Sequence, residues 1–411
     1  MEKILFVGAV GGMSYSVKRA KELGYRTFCI DYYADSQAKD YADVSMLEST
    51  TNTEAIVKIV KENDIDGIFT GFSDNNIRSA ALVCENVGLP CYTDFKQIEI
   101  LQNKKEFRKL CIEYGIKCPK EYSDIQKIRF PVIVKPSDAY AAKGITVCHD
   151  RNTLDEAIDK AKAASRNGEV IIEDYISGSE VMVHFVMIDG KLKLSSILDR
   201  KLAVSFSKNS KPLAPVVIEN SDKYYNSVVQ NEKGLENLFK ALGYRNIVGF
   251  LQGIANDNEV YFFEPAIRFG GNLSELFNYY CHGVDVVGAF LKGSISGDFS
   301  DLDISKVNPL FDKKCYNITL FAKEGTIKCA NGEDETYEIE SVKDLQRYYH
   351  IGKCITDDIR YTYEAIAYRI IMIADSKEKI IDDLHHLEKV LTLVDDEGNN
   401  LLDWTSVYKN M

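Results

Sequence analysis

Residues Val260–Leu276 read VYFFEPAIRFGGNLSEL. The apolar and aromatic run Val260–Phe263 predicts a buried strand. Glu264 closes it, and Pro265 is expected to stop its ladder. Arg268 follows Glu264 by four residues, then come Gly270 and Gly271, and a helix is expected behind them. A carboxylate and a guanidinium at the mouth of a buried strand are costly to bury without partners. Taken alone, they read as an ion pair that caps a strand. The rest of the chain changes that reading.

The 411 residues suit two or three domains with room for real cores. The net charge of −12 argues against a nucleic-acid surface, which needs clustered Lys and Arg. It leaves nucleotide binding open, since that needs only a local positive site. The ten cysteines form no CxxC, and the six histidines build neither HExxH nor a zinc spacing. The cysteines read as small buried hydrophobes in a reducing cytosol, so a cytoplasmic location is expected. The start, MEKILFVG, enters a strand at once and does not read as a signal peptide. No apolar run reaches the roughly eighteen residues of a membrane span. Neither a membrane nor a nucleic acid is an expected partner.

Lys3–Val7, the turn Gly8–Ala9–Val10–Gly11–Gly12, a helix, and the strand Tyr25–Ile30 closed by Asp31 form a βαβ unit. The glycines miss the GxGxxG spacing of a dinucleotide site. The competing reading is a turn that packs helix on sheet and lines a substrate crevice at the strand ends, which makes Gly11 a candidate contact. The α/β pattern continues with a helix over Thr53–Lys61, a strand over Gly67–Thr70 and a helix over Ile77–Val87.

Ile98–Tyr114 predicts one long charged helix that carries Lys104. In FPVIVKP, Phe130–Pro136, Lys135 stands directly after a buried strand, where an unpaired ammonium is rare. A nucleotide cleft needs such a fixed charge against phosphate. The small-residue loop Ser137–Ile145 follows with Lys143, and it is not a Walker loop. Next come a helix over Thr153–Ala164, the strand Val170–Ile176, and Ser177–Gly178–Ser179–Glu180. Val181–Val186 and Lys193–Leu198 pair as a hairpin across Asp189–Gly190. Asp199–Arg200–Lys201 ends the second strand, facing an acceptor, the transferred phosphoryl group or an ion-pair partner. Asn209–Pro215 reads as a polar specificity loop. A helix over Tyr224–Leu242 and a strand over Asn246–Ile254 with Gln252 inside it return through Asn256–Asp257–Asn258 to Val260. A smaller domain is expected from Cys315, with helical pieces at Val342–Tyr349 and Lys377–Leu391.

In order and spacing, Lys104, Lys135, the Glu173–Glu180 segment and Glu264–Arg268–Gly271 resemble the ATP-grasp superfamily, in its carbamoyl-phosphate-synthetase and purine-ligase branch. The resemblance covers nearly the whole chain. It implies an α/β fold: a pre-ATP-grasp Rossmann-like parallel-sheet domain over 1–95, a two-lobed α+β ATP-grasp domain over 96–300 with its ATP-binding lobe at about 116–182, and a small C-terminal α+β cap over 301–411. The cap is expected to close over the site or to pack a homodimer. ATP and Mg²⁺, with Mn²⁺ as an alternative, are the implied cofactors.

By the same resemblance, Lys104 and Lys135 meet the nucleotide phosphates. Glu173, Asp174 and Ile176 form the adenine hinge, and Glu180 holds the ribose hydroxyls. Gln252 and Glu264 hold the metal. Arg268, Lys143 and Arg200 act in catalysis, and Gly11, Asp199 and Asn272 face substrate. Ala266 and Ile267 replace the family's metal-ligand Asn and usual Pro, so Asn272, water or a chelating Glu264 would complete the metal shell. The implied reaction is a carboxylate–amine ligation through an acyl phosphate, with small-molecule substrates that include an amino acid. Two rivals stand: a carboxylase or purine-type ligase acting through carboxyphosphate, and a non-catalytic ATP-binding protein, suggested by Ala266.

Overall fold

The computed structural model describes residues 1–137, 144–202, 213–257 and 259–411. Lys143, most of the expected specificity loop and Asn258 of the expected turn lie outside the described residues. The chain begins β1 (Lys3–Val7), α1 (Met13–Glu22), β2 (Arg26–Asp31), β3 (Val44–Leu47), α2 (Thr53–Asn63), β4 (Gly67–Thr70) and α3 (Asp74–Val87). The four strands form a parallel sheet in the order β3-β2-β1-β4. Near-continuous burial of β1, β2 and β4 on both faces explains their apolar runs, while the edge strand β3 is partly exposed.

Two helices follow, α4 (Phe95–Gln102) and α5 (Lys104–Glu113). This corrects the single long helix expected over this stretch. Asn103 adopts an extended conformation, and its side chain accepts from the backbone N–H groups of Lys105 and Glu106. An Asn that captures backbone donors starts a helix more readily than it continues one. The expected helix over Tyr224–Leu242 also divides, into two pieces introduced below.

A three-stranded antiparallel sheet comes next, β6-β5-β7, from β5 (Val132–Pro136), β6 (Thr146–Cys148) and, after α6 (Leu154–Ala164), β7 (Val170–Asp174). The chain then runs through β8 (Ser179–Ile188), β9 (Lys191–Leu202), β10 (Pro215–Asn220), α7 (Tyr225–Val229), α8 (Glu232–Ala241), β11 (Ile247–Asn256), β12 (Glu259–Ala266), α9 (Glu275–His282), α10 (Val286–Ser296) and β13 (Lys314–Phe321). It closes with β14 (Gly325–Thr326), β15 (Cys329–Asn331), β16 (Val342–Arg347), β17 (Cys354–Ile355), β18 (Ile366–Ala374), α11 (Lys377–Val390), β19 (Thr392–Val394) and α12 (Trp404–Asn410).

One eight-stranded antiparallel sheet runs β12-β11-β8-β9-β10-β13-β18-β16. It carries the C-terminal strands on the same ladder as the hairpin β8–β9, because β10 bonds to β13. β10 and β13, on either side of residue 301, are thus neighbours in one sheet. Two further expectations are corrected here. Pro265 does not end its ladder: it lies within β12, opposite Leu251, and β12 is an edge strand that can do without one N–H. Val342–Arg347 is a strand rather than a helix, because β18 supplies a ladder partner that overrides local propensity.

On β16, burial pushes the Asp344 carboxyl up to about 6, against a hydrogen bond from Gln346 and the charge of Lys18. Its folded value thus lies above the unfolded one. Below about pH 4 both states hold the proton and the group contributes nothing. As pH rises through the window between the two values, the unfolded state loses its proton first, and stability falls. Asp344→Asn should therefore stabilise the protein by about 1–3 kcal/mol near pH 8. In acid it should change nothing. Urea melts at the two pH values check this.

Candidate functional site

The centre of the site is a buried ion cluster. Lys135 on β5 and Glu173 on β7 are diagonal cross-strand neighbours, since Ile133 lies opposite Glu173. Lys135 Nζ donates to Glu173 Oε1 at 2.5 Å. Arg108, from the buried face of α5, donates to Glu173 Oε2 at 2.6 Å and to the Phe262 carbonyl at 3.1 Å. Glu173, Arg108 and Lys135 are only 3%, 3% and 5% exposed. Burial opposes the Arg108 charge, but the Glu173 carboxylate more than offsets it and raises the basicity of the guanidinium. Two cations on one carboxylate leave a net positive charge in a dry place, and an anion is its natural complement.

Lys104 and Arg108 are four residues apart on α5 and so share a face. That face lies along β12, where Arg108 reaches the Phe262 backbone carbonyl and Lys104 the Glu264 side chain. Lys104 Nζ is 3.2 Å from Glu264 Oε1. Lys105 turns the other way, to Glu169 at 3.2 Å. Gln252 lies directly opposite Glu264 in the β11–β12 register, with a register shift just beyond it. Ala266, opposite Phe250, is on the same face but is packed among apolar residues that include Met182 and Leu198.

The Arg268 guanidinium is held across the molecule. Its Nε and Nη2 meet the two carboxylate oxygens of Asp74 at 2.8 and 3.1 Å, and Nη1 donates to the Phe269 carbonyl at 3.2 Å. Asp74 is the first residue of α3, so this fork joins the parallel-sheet domain to the end of β12. Burial alone would raise the Asp74 carboxyl, but Arg268 and Lys104 outweigh it and hold the group below the ordinary carboxylate range.

The other expected site residues lie on neighbouring strands and loops. Asp174 Oδ1 accepts from the Tyr122 hydroxyl at 2.6 Å, and Ile176 lies in the segment between β7 and β8. Glu180 and Arg200 are directly opposite in the β8–β9 register and pair at 2.8 Å, so each is already engaged. Burial raises the Asp199 carboxyl above its ordinary value. Lys201 pairs with Glu219 at 3.0 Å. Gly11 packs under a residue from the far end of the chain: a Cβ there would stand 2.7 Å from the Tyr348 ring. Asp31 is spent on its own loop, accepting from the backbone N–H groups of Ala9 and Tyr33. Asn272 is buried in the loop between β12 and α9, where Asn317 donates to its carbonyl.

Sequence reasoning missed Arg108, Asp74 and Arg369. Arg108 had a signal, the four-residue spacing from Lys104 on one helical face. Asp74 and Arg369 had none that was local.

A nucleotide's phosphates fit the positive cluster of Lys135, Arg108 and Lys104. The metal donor set is thin. Among the described residues no group of three or more His, Cys, Asp or Glu side chains could hold a metal ion. Glu264 and Gln252 offer oxygens from facing positions, which suits an ion that takes the rest of its shell from phosphate and water.

The family model for the C-terminal part of D-ala D-ala ligase matches residues 85–211. The chain is 24% identical over 264 residues to the carbamoyl phosphate synthase large chain of Clostridium beijerinckii; the match covers 61% of this chain and 24% of that protein. It thus spans about a quarter of that curated relative's length. The solved structure of phosphoribosylglycinamide synthetase from Anaerococcus prevotii superposes with a TM-score of 0.77 at 18% identity, covering 96% of this chain and 100% of that one. An L-amino acid ligase from Bacillus licheniformis superposes with a TM-score of 0.72 at 18% identity, covering 96% and 99%. The fold is that of the ATP-grasp enzymes. The matches divide among several of their branches and single out none. Among the described residues no helix is long and apolar enough to cross a membrane.

Proposed function

We propose that the chain is an ATP-dependent carboxylate–amine ligase that works through an acyl phosphate and releases ADP and phosphate. The observation that carries this reading is the buried Arg108–Glu173–Lys135 cluster, with its uncompensated positive charge beside Lys104. Buried cations in excess of carboxylates are costly unless a ligand completes them. A polyphosphate does so with charge-assisted bonds.

In this reading Lys135, Lys104 and Lys143 meet the phosphates. Glu173, Asp174 and Ile176 line the adenine, and Glu180 turns from Arg200 to the ribose. Glu264 and Gln252 are the residues that would hold Mg²⁺, which supplies positive charge against phosphate oxygens. A carboxylate oxygen of the first substrate attacks the γ-phosphorus, and ADP leaves. Arg268, fixed in one orientation by Asp74, faces charge that grows during this transfer. The amine of the second substrate then attacks the acyl carbon and expels phosphate. The likeness to an L-amino acid ligase and the D-ala D-ala ligase match favour an amino acid on at least one side.

Carboxylate-oxygen-18 substrate tests the route. An acyl phosphate must carry one labelled oxygen into inorganic phosphate as ADP appears. AMP and pyrophosphate as products would sink the mechanism. Unlabelled phosphate with a requirement for bicarbonate would move the protein to the carboxyphosphate branch. The apolar setting of Ala266 favours a second reading, a nucleotide-binding protein without turnover. Tight ATP binding with no ADP release across an array of acids and amines would select it.

A further inference from the structure

We infer that Arg369 is the receptor for the carboxylate of the acceptor, which makes the acceptor an α-amino acid. The inference rests on the ligase reading and deepens it.

Arg369 lies within β18 and is 5% exposed. The neighbouring site arginines each have a carboxylate: Arg108 has Glu173, Arg200 has Glu180 and Arg268 has Asp74. Arg369 has none among the described residues, and residues 203–212 contain no Asp or Glu. Its Nη1 donates to the Gly271 carbonyl, and its buried Nε has no acceptor. The rings of Tyr348 and Tyr363 lie 5.3 and 5.8 Å from the guanidinium carbon. A buried guanidinium supported by a carbonyl and ring faces is an unfinished ion pair.

The place is also right. Gly271 follows Arg268 in the loop after β12, and Tyr348 donates to the same Gly271 carbonyl at 3.3 Å. The Tyr348 ring packs on Gly11 of the first glycine turn. Parallel-sheet domain, β12 loop and C-terminal strands therefore converge on Arg369.

A second observation concerns the neighbouring strand. Thr319 lies directly opposite Arg369 in the β13–β18 register, and Asn317 is two residues along on the same face. Both are buried, and Thr319 Oγ1 and Asn317 Oδ1 have no hydrogen-bond partner. They are oxygen acceptors beside a guanidinium donor. An α-amino acid presents the complement, an amino group next to a carboxylate. One guanidinium matches one carboxylate in charge and planar shape. A phosphate monoester would bring about two charges to a single cation. Arg268, with Asp74 on its fork, is already neutralised.

The test uses the full chain with MgADP and the twenty standard amino acids, each paired with its α-amide, read by saturation-transfer NMR. The wild type should bind at least one amino acid and reject its amide. Arg369→Gln should lose about 30-fold or more of that affinity, while ATP affinity stays unchanged. Because the arginine is unpaired, the variant's melting temperature should hold or rise, whereas a structural arginine would lower it. Arg369→Lys keeps the charge without the fork and should bind weakly; it serves if the glutamine variant does not fold. Equal binding of acid and amide, full affinity in both variants, or no amino acid bound at all would overturn the inference. So would protection by inorganic phosphate in place of an amino acid. Arg369-dependent binding without ADP release in any pairing would keep the carboxylate site and remove the ligase reading.

Discussion

Glu173→Ala should cost the folded protein about 3–5 kcal/mol, because it strands two buried cations. Glu173 accepts from both Arg108 and Lys135, and all three side chains are nearly inaccessible to water. Removing the carboxylate leaves an ammonium and a guanidinium side by side, with the Phe262 carbonyl still accepting from Arg108. Urea denaturation in the absence of nucleotide measures the loss. Saturating ATP should then restore part of it, since a ligand that binds only the folded state stabilises by mass action, by about 2.7 kcal/mol at a hundredfold excess over Kd. A loss below about 1 kcal/mol would mean that water already reaches the cluster. Failure of ATP to rescue a destabilised variant would place the phosphates elsewhere.

Lys135→Ala should show the opposite pattern. It removes one of two cations and leaves Arg108 and Glu173 as a neutral pair, so the fold should lose much less than in Glu173→Ala. ATP affinity should fall by about 2–5 kcal/mol, roughly 30-fold to several thousand-fold, because a desolvated charge-assisted contact is lost. Calorimetric titration with ATP, on protein shown to be folded, gives the value. Unchanged affinity would remove Lys135 from the nucleotide site and with it the main support for the proposed function. The two variants separate roles that a single activity assay would merge: in the proposed reading Glu173 organises the charge, and Lys135 delivers it.

The tie between Arg268 and Asp74 bears on the same chemistry. A guanidinium with a carboxylate on its fork is a weaker electrophilic partner than a bare one, but its position is set. In the proposed reading this divides labour between two arginines: Arg268, whose partner Asp74 also feels Lys104, would serve the phosphoryl side, and Arg369, bonded to the Gly271 carbonyl, the acceptor side.

What the sequence determined by itself was local. Lys135 after its apolar strand, Glu264 at the end of VYFF, the β8–β9 hairpin with its Asp189–Gly190 turn and the opening βαβ unit are written in neighbouring residues, since strand alternation and turn chemistry act over a few positions. Even there, local reading carried the helix through Asn103 and stopped the ladder at Pro265. A capping side chain decided the first and an edge position the second. The pairing of charges was decided by tertiary structure alone. Arg268 finds Asp74 across 194 residues, Arg108 finds Glu173 across 65, and Arg369 finds Gly271 across 98. No periodicity connects such positions. The packing of α5 on β12 and of the C-terminal strands on the shared sheet takes these arginines out of water. Burial then makes each partner, or its absence, matter, because a charge without water must be answered by another group or by a ligand.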